Sequence, residues 1–325
     1  MKNRKSLKQV LFLAGTLLAV FTACQKNDNT LLTSSLSENT LKAAAQTYTA
    51  ETFDDVMEIG DEMLSTYEGM LRERDTICIG DLGHMHDSLN MGGHHRMSPC
   101  TRISKEYVGE TLVTTINFGA DSCTSPDGKT RLGKIIMSCT GDYWEGEATI
   151  TFAFEDYYVD GNLVLGTSEV RSAINAEGNR EAKITENGSV VMADGSGTIT
   201  WASEKTRLVT AGTDTGSRRD DVIQVTGTSS GSLVSGNTFT SETLTPLVRN
   251  YSKECRGVFV SGTTKIVVSD GTEITVDYGD GTCDNLATVT TNGESETITL
   301  AGFMPGPGGR GMGHGKGHGK GHGGK

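Results

Sequence analysis

Between residues 100 and 301, apolar side chains alternate with polar ones along short stretches that are separated by turn signals. Clear examples of this alternation lie at 148–154, 274–278 and 298–300. A period of two is typical of strands that bury one face. Asp-Gly and Asn-Gly pairs recur between the stretches, and such pairs favour tight hairpin turns. The pattern predicts an all-β domain over 100–301, an antiparallel meander of roughly a dozen strands that forms a sandwich or an open barrel.

One segment before this domain has a helical spacing instead. Over residues 51–72, apolar side chains recur every three or four positions with acidic residues between them. Thr52 and Asp55 resemble the capping box that begins many helices. We therefore predict one N-terminal helix over 51–72. Residues 24–50 are rich in Ser, Thr and Asn, and they predict a flexible tether.

The first 23 residues have the order of an export signal. Four basic residues precede an apolar run from Val10 to Phe21, which is too short to span a bilayer. Small residues then lead to Cys24, as in the lipobox of bacterial lipoproteins, so we expect acylation (diacylglycerol, palmitate) of Cys24 and attachment to a membrane. No Asp follows Cys24, which favours the outer membrane of the cell envelope. The alternative is an ordinary secretory signal with an incidental cysteine.

The net charge of the chain excludes one class of binding partner. The chain has 41 acidic and 29 basic residues and a formal net charge of −12, and removing the basic signal makes it more acidic still. An acidic protein repels the phosphate backbone, so we expect no nucleic-acid partner.

Six cysteines remain once Cys24 is set aside, and an even count in an exported chain predicts disulfides. The segment Thr115–Cys123 echoes Thr275–Cys283, and each follows an alternating strand. Turns near Gly109 and at Asp270-Gly271 bring each of these cysteines towards an upstream one, and elimination leaves a third pair. The predicted bridges are Cys100–Cys123, Cys255–Cys283 and Cys78–Cys139; buried free thiols are the alternative.

Histidine and methionine cluster outside the β domain, in a Gly/His/Met loop over 73–99 and in a disordered Gly/His/Lys tail over 302–325. Imidazole binds Cu, Zn and Ni, and thioether favours Cu(I). No cofactor is required by the sequence, but these segments predict a metal-binding capacity. The candidate ligands are His84, His86, His94, His95, Met85, Met91, Met97, His314, His318 and His322.

No histidine lies between 96 and 313, so the β domain has no histidine base for catalysis. We expect a non-enzymatic binding or structural module of the envelope, with an envelope protein or a glycan as its partner. A metal-binding lipoprotein is the first alternative. An enzyme with a site built from carboxylates is the second.

The chain resembles a group of uncharacterised lipoproteins from the Bacteroidota with an all-β ectodomain. The resemblance lies in Asn117–Gly119 with Cys123, in 127–134, in the hairpin at 157–167, and most clearly in Asp277–Asn285. It covers about 100–301 and implies an envelope location and an all-β fold. It implies no activity, because none is assigned to the group.

Overall fold

The structure, a computed structural model, describes residues 37–64, 76–78, 97–143, 146–212, 220–252, 255 and 257–300. Within them lie one helix, α1 (Glu38–Glu62), and fourteen strands. The strands are β1 (Thr76–Cys78), β2 (Arg102–Val108), β3 (Thr111–Thr124), β4 (Thr130–Gly141), β5 (Ala148–Val159), β6 (Asn162–Ile174), β7 (Arg180–Val191), β8 (Thr198–Ala211), β9 (Val222–Ser232), β10 (Thr238–Asn250), β11 (Val258–Val268), β12 (Glu273–Asp280), β13 (Leu286–Thr291) and β14 (Glu294–Thr299).

All fourteen strands form one antiparallel sheet in which each strand pairs with its neighbours in sequence. The all-β meander is therefore confirmed. In the described residues β1 and β14 do not pair with each other, so the sheet is open. Side chains from one face of this sheet and from α1 share a single apolar core. Helix side chains reach β4, β8 and β14 alike, so the sheet curves around the helix.

The hairpin registers agree with the turns that the sequence predicts. Ile103 lies opposite Ile116 across the β2–β3 hairpin, and Ile266 lies opposite Ile274 across β11–β12. At Asp160-Gly161, between β5 and β6, both residues have positive φ (50° and 83°), as a type I′ turn requires. Local turn chemistry therefore sets the order and register of these strands.

The helix begins well before the predicted position, so the prediction of a flexible tether over 38–50 is wrong. Ser37 is the N-cap, and its Oγ accepts a hydrogen bond from the amide of Thr40 at 3.2 Å. The run Ala43–Ala45 has high helix propensity, and the α-helix ends at Glu62 with Met63 as its C-cap. Residues 65–72 of the predicted helix lie outside the described residues.

The physical reason for this error is that α1 is buried on nearly all sides. An enclosed helix has no polar face towards water, so it lacks the amphipathic pattern by which surface helices are recognised. Its hydroxyl groups bond within the helix instead: Thr49 donates to the carbonyl of Ala45 at 2.9 Å, and Thr52 donates to that of Tyr48 at 2.8 Å. A Thr-rich sequence can therefore form an interior helix.

Aromatic side chains fill the space between the helix and the sheet. Phe53 of α1 stacks on Trp201 of β8 with ring centroids 6.4 Å apart, and Trp201 in turn packs against Phe239 of β10 at 6.1 Å. At Gly60 the helix comes so close to β5 that a Cβ would lie 2.5 Å from Cζ of Phe152. Among the described residues, no helix is long and apolar enough to cross a bilayer.

Candidate functional site

An ion-pair network joins the acidic side chains of α1 to basic side chains on the inner face of the sheet. Arg131 of β4 donates to Asp55 at 2.6 Å, and Arg207 of β8 donates to Asp61 at 2.6 Å. Arg249 of β10 lies 3.3 Å from an oxygen of Asp54. Such pairs offset the cost of burying charge only because both partners are present. The network therefore fixes the position of the helix inside the sheet.

Glu186 of β7 connects this network to strand β8. Its carboxylate is 1% exposed and accepts hydrogen bonds from Trp201 Nε1 at 2.8 Å and from Ser203 Oγ at 2.7 Å. Its other oxygen lies 2.9 Å from Nζ of Lys205, which also contacts Asp54 of the helix at 2.5 Å. Burial alone would lower the pKa of Lys205, but attraction to Asp54 and Glu186 raises it above its usual value. These contacts link strands β7 and β8 to α1.

A groove of about 670 Å³ opens on the opposite, solvent-facing side of these strands. We call it the outer groove. Its lining alternates between buried side chains at the base, such as Glu186 and Ser203, and exposed ones that face the solvent. The solvent-facing set is Thr185 and Asn187 (β7), Ala202 and Glu204 (β8), Thr228 and Ser230 (β9), Thr240 and Glu242 (β10), and Lys265 and Val267 (β11).

A second, shallower groove of about 450 Å³ adjoins the first and shares Asn187, Ala202 and Ser230 with it. It continues across β6 to the exposed side chain of Leu165. At the other end of the outer groove, β10 contains a bulge between Glu242 and Leu247, where the pairing with β9 shifts register. Bulges of this kind often lie beside binding sites, because they redirect neighbouring side chains.

The solvent-facing side chains of the outer groove are mostly ones that form hydrogen bonds. Hydroxyl groups can both donate and accept hydrogen bonds, and the amide of Asn187 can do both as well. Lys265 lies opposite Glu242 in the register of β10 and β11, and its Nζ lies 3.1 Å from Glu273. The groove contains no histidine or cysteine. Its side chains can therefore hold a polar ligand.

Of the predicted metal ligands, Met97 is the one that lies within the described residues. Met97 is fully buried and belongs to the apolar core. The described residues contain no cluster of histidine, cysteine and carboxylate groups that could hold a metal. The other candidate ligands, the tail and Cys24 lie outside the described residues. Residues 76–78, predicted as loop, form β1.

Two of the three predicted disulfides are present, Cys100–Cys123 and Cys255–Cys283. The third pairing, Cys78 with Cys139, is incompatible with the sheet register. Cys78 lies opposite Arg102 on β2, whereas Cys139 on β4 lies opposite Leu112 on β3. Three interstrand spacings separate their Cα atoms by about 14 Å, before any offset along the strands. A bridge needs a separation below about 7 Å.

Sequence reasoning missed both the ion-pair network and the outer groove. The network did leave a signal in the sequence. Strands β4, β8 and β10 alternate between inward and outward positions, and Arg131, Arg207 and Arg249 occupy inward ones. A charged residue at such a position needs a buried partner. The groove gave no signal, because its solvent-facing residues are of the types that any exposed strand face carries.

Comparison with family models, with curated proteins and with solved structures finds no match to this chain. The resemblance to Bacteroidota lipoproteins therefore remains a prediction.

Proposed function

We propose that this protein is a binding module of the cell envelope, anchored by lipid at Cys24 and recognising its ligand in the outer groove. The observation that carries the proposal is the groove of about 670 Å³ on the solvent-facing side of β7–β11. Binding sites are concave and few per protein, and they work best on rigid elements. The strands beneath the groove provide such a support, because Glu186 and Lys205 link them to α1.

The interior of the sheet offers less room for a ligand than its outer face. Trp201 packs against both Phe53 and Phe239 there, and Asp55 of α1 forms an ion pair with Arg131 of the sheet. Many curved sheets bind small molecules inside. In this protein the helix occupies that place, which directs recognition to the outer surface.

The early start of α1 also bears on the anchor. If Cys24 carries lipid, the dozen residues 25–36 separate the lipid from the helix, and even fully extended they reach about 40 Å. Such a reach keeps the domain close to the membrane. Cys24→Ala should leave the precursor uncleaved and without lipid, which detergent phase partitioning of the exported protein measures. Unchanged partitioning of this variant would contradict the anchor.

The groove can be tested by filling its floor. Ala202→Arg places a long side chain at the centre of both grooves, whereas Thr149→Arg makes the same change on the exposed face of β5, outside them. The full protein would be titrated with fractionated envelope polysaccharides and with peptides. We expect at least one ligand whose affinity falls about tenfold or more in Ala202→Arg and stays unchanged in Thr149→Arg. Equal affinity of both variants for every ligand would overturn the proposal.

Metal handling is a second candidate function, and it depends on sequence alone. Four histidines lie within residues 84–95, interspersed with methionine. Replacing His84, His86, His94 and His95 by alanine should weaken copper binding by the purified protein if this segment is the site. Binding that depends only on the tail 302–325 would instead show an affinity like that of any histidine-rich tag.

A further inference from the structure

We infer that the ligand of the outer groove is a neutral, hydroxyl-rich chain, that is, an oligosaccharide. This inference rests on the proposed function, because it names the chemical class that the same groove would bind. Four features of the groove point to this class: its hydrogen-bonding groups, its charge, its length and the pairing of its strands.

The hydrogen-bonding groups at the mouth are mostly uncharged. Thr185 on β7, Thr228 and Ser230 on β9, and Thr240 on β10 present hydroxyl groups, with the amide of Asn187 on β7 beside them. A hydroxyl group donates one hydrogen bond and accepts others, which matches the sugar hydroxyl, itself both donor and acceptor. A surface of this kind satisfies several ligand hydroxyls without needing a charge.

The charges of the groove argue against an anionic ligand. Lys265 is its one cation among the solvent-facing residues, and this ammonium group already contacts Glu273 at 3.1 Å and lies opposite Glu242. Glu204 adds a second carboxylate, and the whole chain has a net charge of −12. A phosphorylated or sulfated chain would meet net repulsion here. A neutral chain meets none.

The length of the site indicates an extended ligand. The two adjoining grooves run across the strands from Leu165 on β6 to Val267 on β11. Five interstrand spacings correspond to about 24 Å. The aliphatic side chains at the two ends are 44% and 37% exposed, and they can contact the C–H faces of sugar rings. A single small molecule would fill only part of this length.

The pairing of the strands argues against a peptide. Peptides commonly bind sheets by adding a strand to a free edge, where unpaired backbone groups supply the hydrogen bonds. Strands β7, β8, β9 and β10 each pair with a neighbour on both sides. The groove therefore offers side chains and no backbone ladder. Recognition by side-chain hydroxyls suits a sugar chain better than a peptide backbone.

The experiment uses the full protein and a panel of probes: linear neutral glucans, mannans and galactans of increasing length, heparin as an anionic chain, and a lysine-rich peptide. Affinities would be measured by calorimetry at low and high salt for wild type, Ala202→Arg and Thr149→Arg. We expect a neutral glycan to bind, to gain affinity with length until the groove is filled, and to be insensitive to salt. We also expect Ala202→Arg to weaken it at least about tenfold and Thr149→Arg to leave it unchanged.

The other outcomes separate the two proposals. If heparin or the peptide binds in a way that Ala202→Arg abolishes, and no neutral glycan does, the groove is a binding site but the ligand class is wrong. If no probe or envelope fraction distinguishes Ala202→Arg from Thr149→Arg, the proposed function fails together with the inference. Circular dichroism of both variants confirms that each one is folded.

Discussion

Asn117 and Asp277 make the same hydrogen bond at equivalent places in two hairpins far apart in the sequence. The Oδ1 of Asn117 accepts from the amide of Gly119 at 2.8 Å, and the Oδ1 of Asp277 accepts from that of Gly279 at 2.9 Å. Both glycines have positive φ, 94° and 102°. Each turn redirects the chain towards a disulfide, at Cys123 and at Cys283 respectively. The sequence echo therefore reflects one local solution used twice, in β2–β3 and in β11–β12.

The two disulfides should each stabilise the fold by restricting the unfolded chain. The bridges close loops with sequence separations of 23 and 28 residues. For loops of this size we expect the double variant Cys100→Ser, Cys123→Ser to lose about 2–4 kcal/mol in free energy of unfolding, measured with urea. Non-reducing peptide mapping of the exported protein should join Cys100 to Cys123. A fragment joining Cys100 to Cys255 would contradict the structure.

Lys205 should be among the most sensitive residues of the sheet. Lys205→Met leaves the carboxylates of Asp54 and Glu186 buried without their shared ammonium group, which we expect to cost about 3–5 kcal/mol of stability. The matched control is Lys134→Met, because Lys134 pairs with Glu155 at the surface, where both side chains are at least a third exposed. That change should cost less than about 1 kcal/mol. Equal losses in urea unfolding would show that the network contributes no more than a surface pair.

Gly60→Ala should destabilise the protein, although alanine is the better helix former by about 1 kcal/mol. The added Cβ would lie 2.5 Å from the ring of Phe152, so the ring or the helix must move. We expect a net loss of about 1–3 kcal/mol. The double variant with Phe152→Leu should recover part of the loss relative to Phe152→Leu alone, which a double-mutant cycle measures. Stabilisation by Gly60→Ala alone would rule out close packing at this point.

Glu51 should make stability depend on pH. Burial raises the pKa of Glu51 to about 7, with Lys129 and Arg249 opposing the rise and Asp54 and Asp55 adding to it. The folded state thus binds the proton more tightly than the unfolded chain does, so stability is full at low pH and falls as the pH rises through about 7. Glu51→Gln should therefore add about 1–3 kcal/mol at pH 8 and almost nothing at pH 4. Thermal melts at the two pH values check this, and an equal effect at both would contradict it.

Local patterns in the sequence predict much of the sheet. Ile103 with Ile116 and Ile266 with Ile274 lie in the registers that the turn positions require, because a hairpin register follows from its turn. The pairs Cys100–Cys123 and Cys255–Cys283 follow from the same registers. The third pair depended on elimination rather than on a hairpin, and the register of β1 to β4 excludes it.

The interior helix and the outer groove depend on long-range contacts, which local patterns do not contain. Asp54 and Asp61 look like exposed acids in the sequence, since their basic partners Lys205 and Arg207 are about 150 residues away. The groove depends on how the sheet curves between β6 and β11. Thr228 and Thr240 would read as ordinary solvent-facing residues on a flat sheet.

The enclosure of α1 also affects the order in which the parts of the protein fold. The helix is synthesised before the sheet, but the partners of its side chains follow much later. Lys205 lies 151 residues after its partner Asp54, and Glu296 lies 256 residues after Thr40, from which it accepts a hydrogen bond. Contacts of such separation make folding slow. Pulse-labelling hydrogen exchange during refolding should find the helix amides protected only when β14 is protected. The helix, which leaves the ribosome before any strand of the sheet, would then be among the last elements to become native.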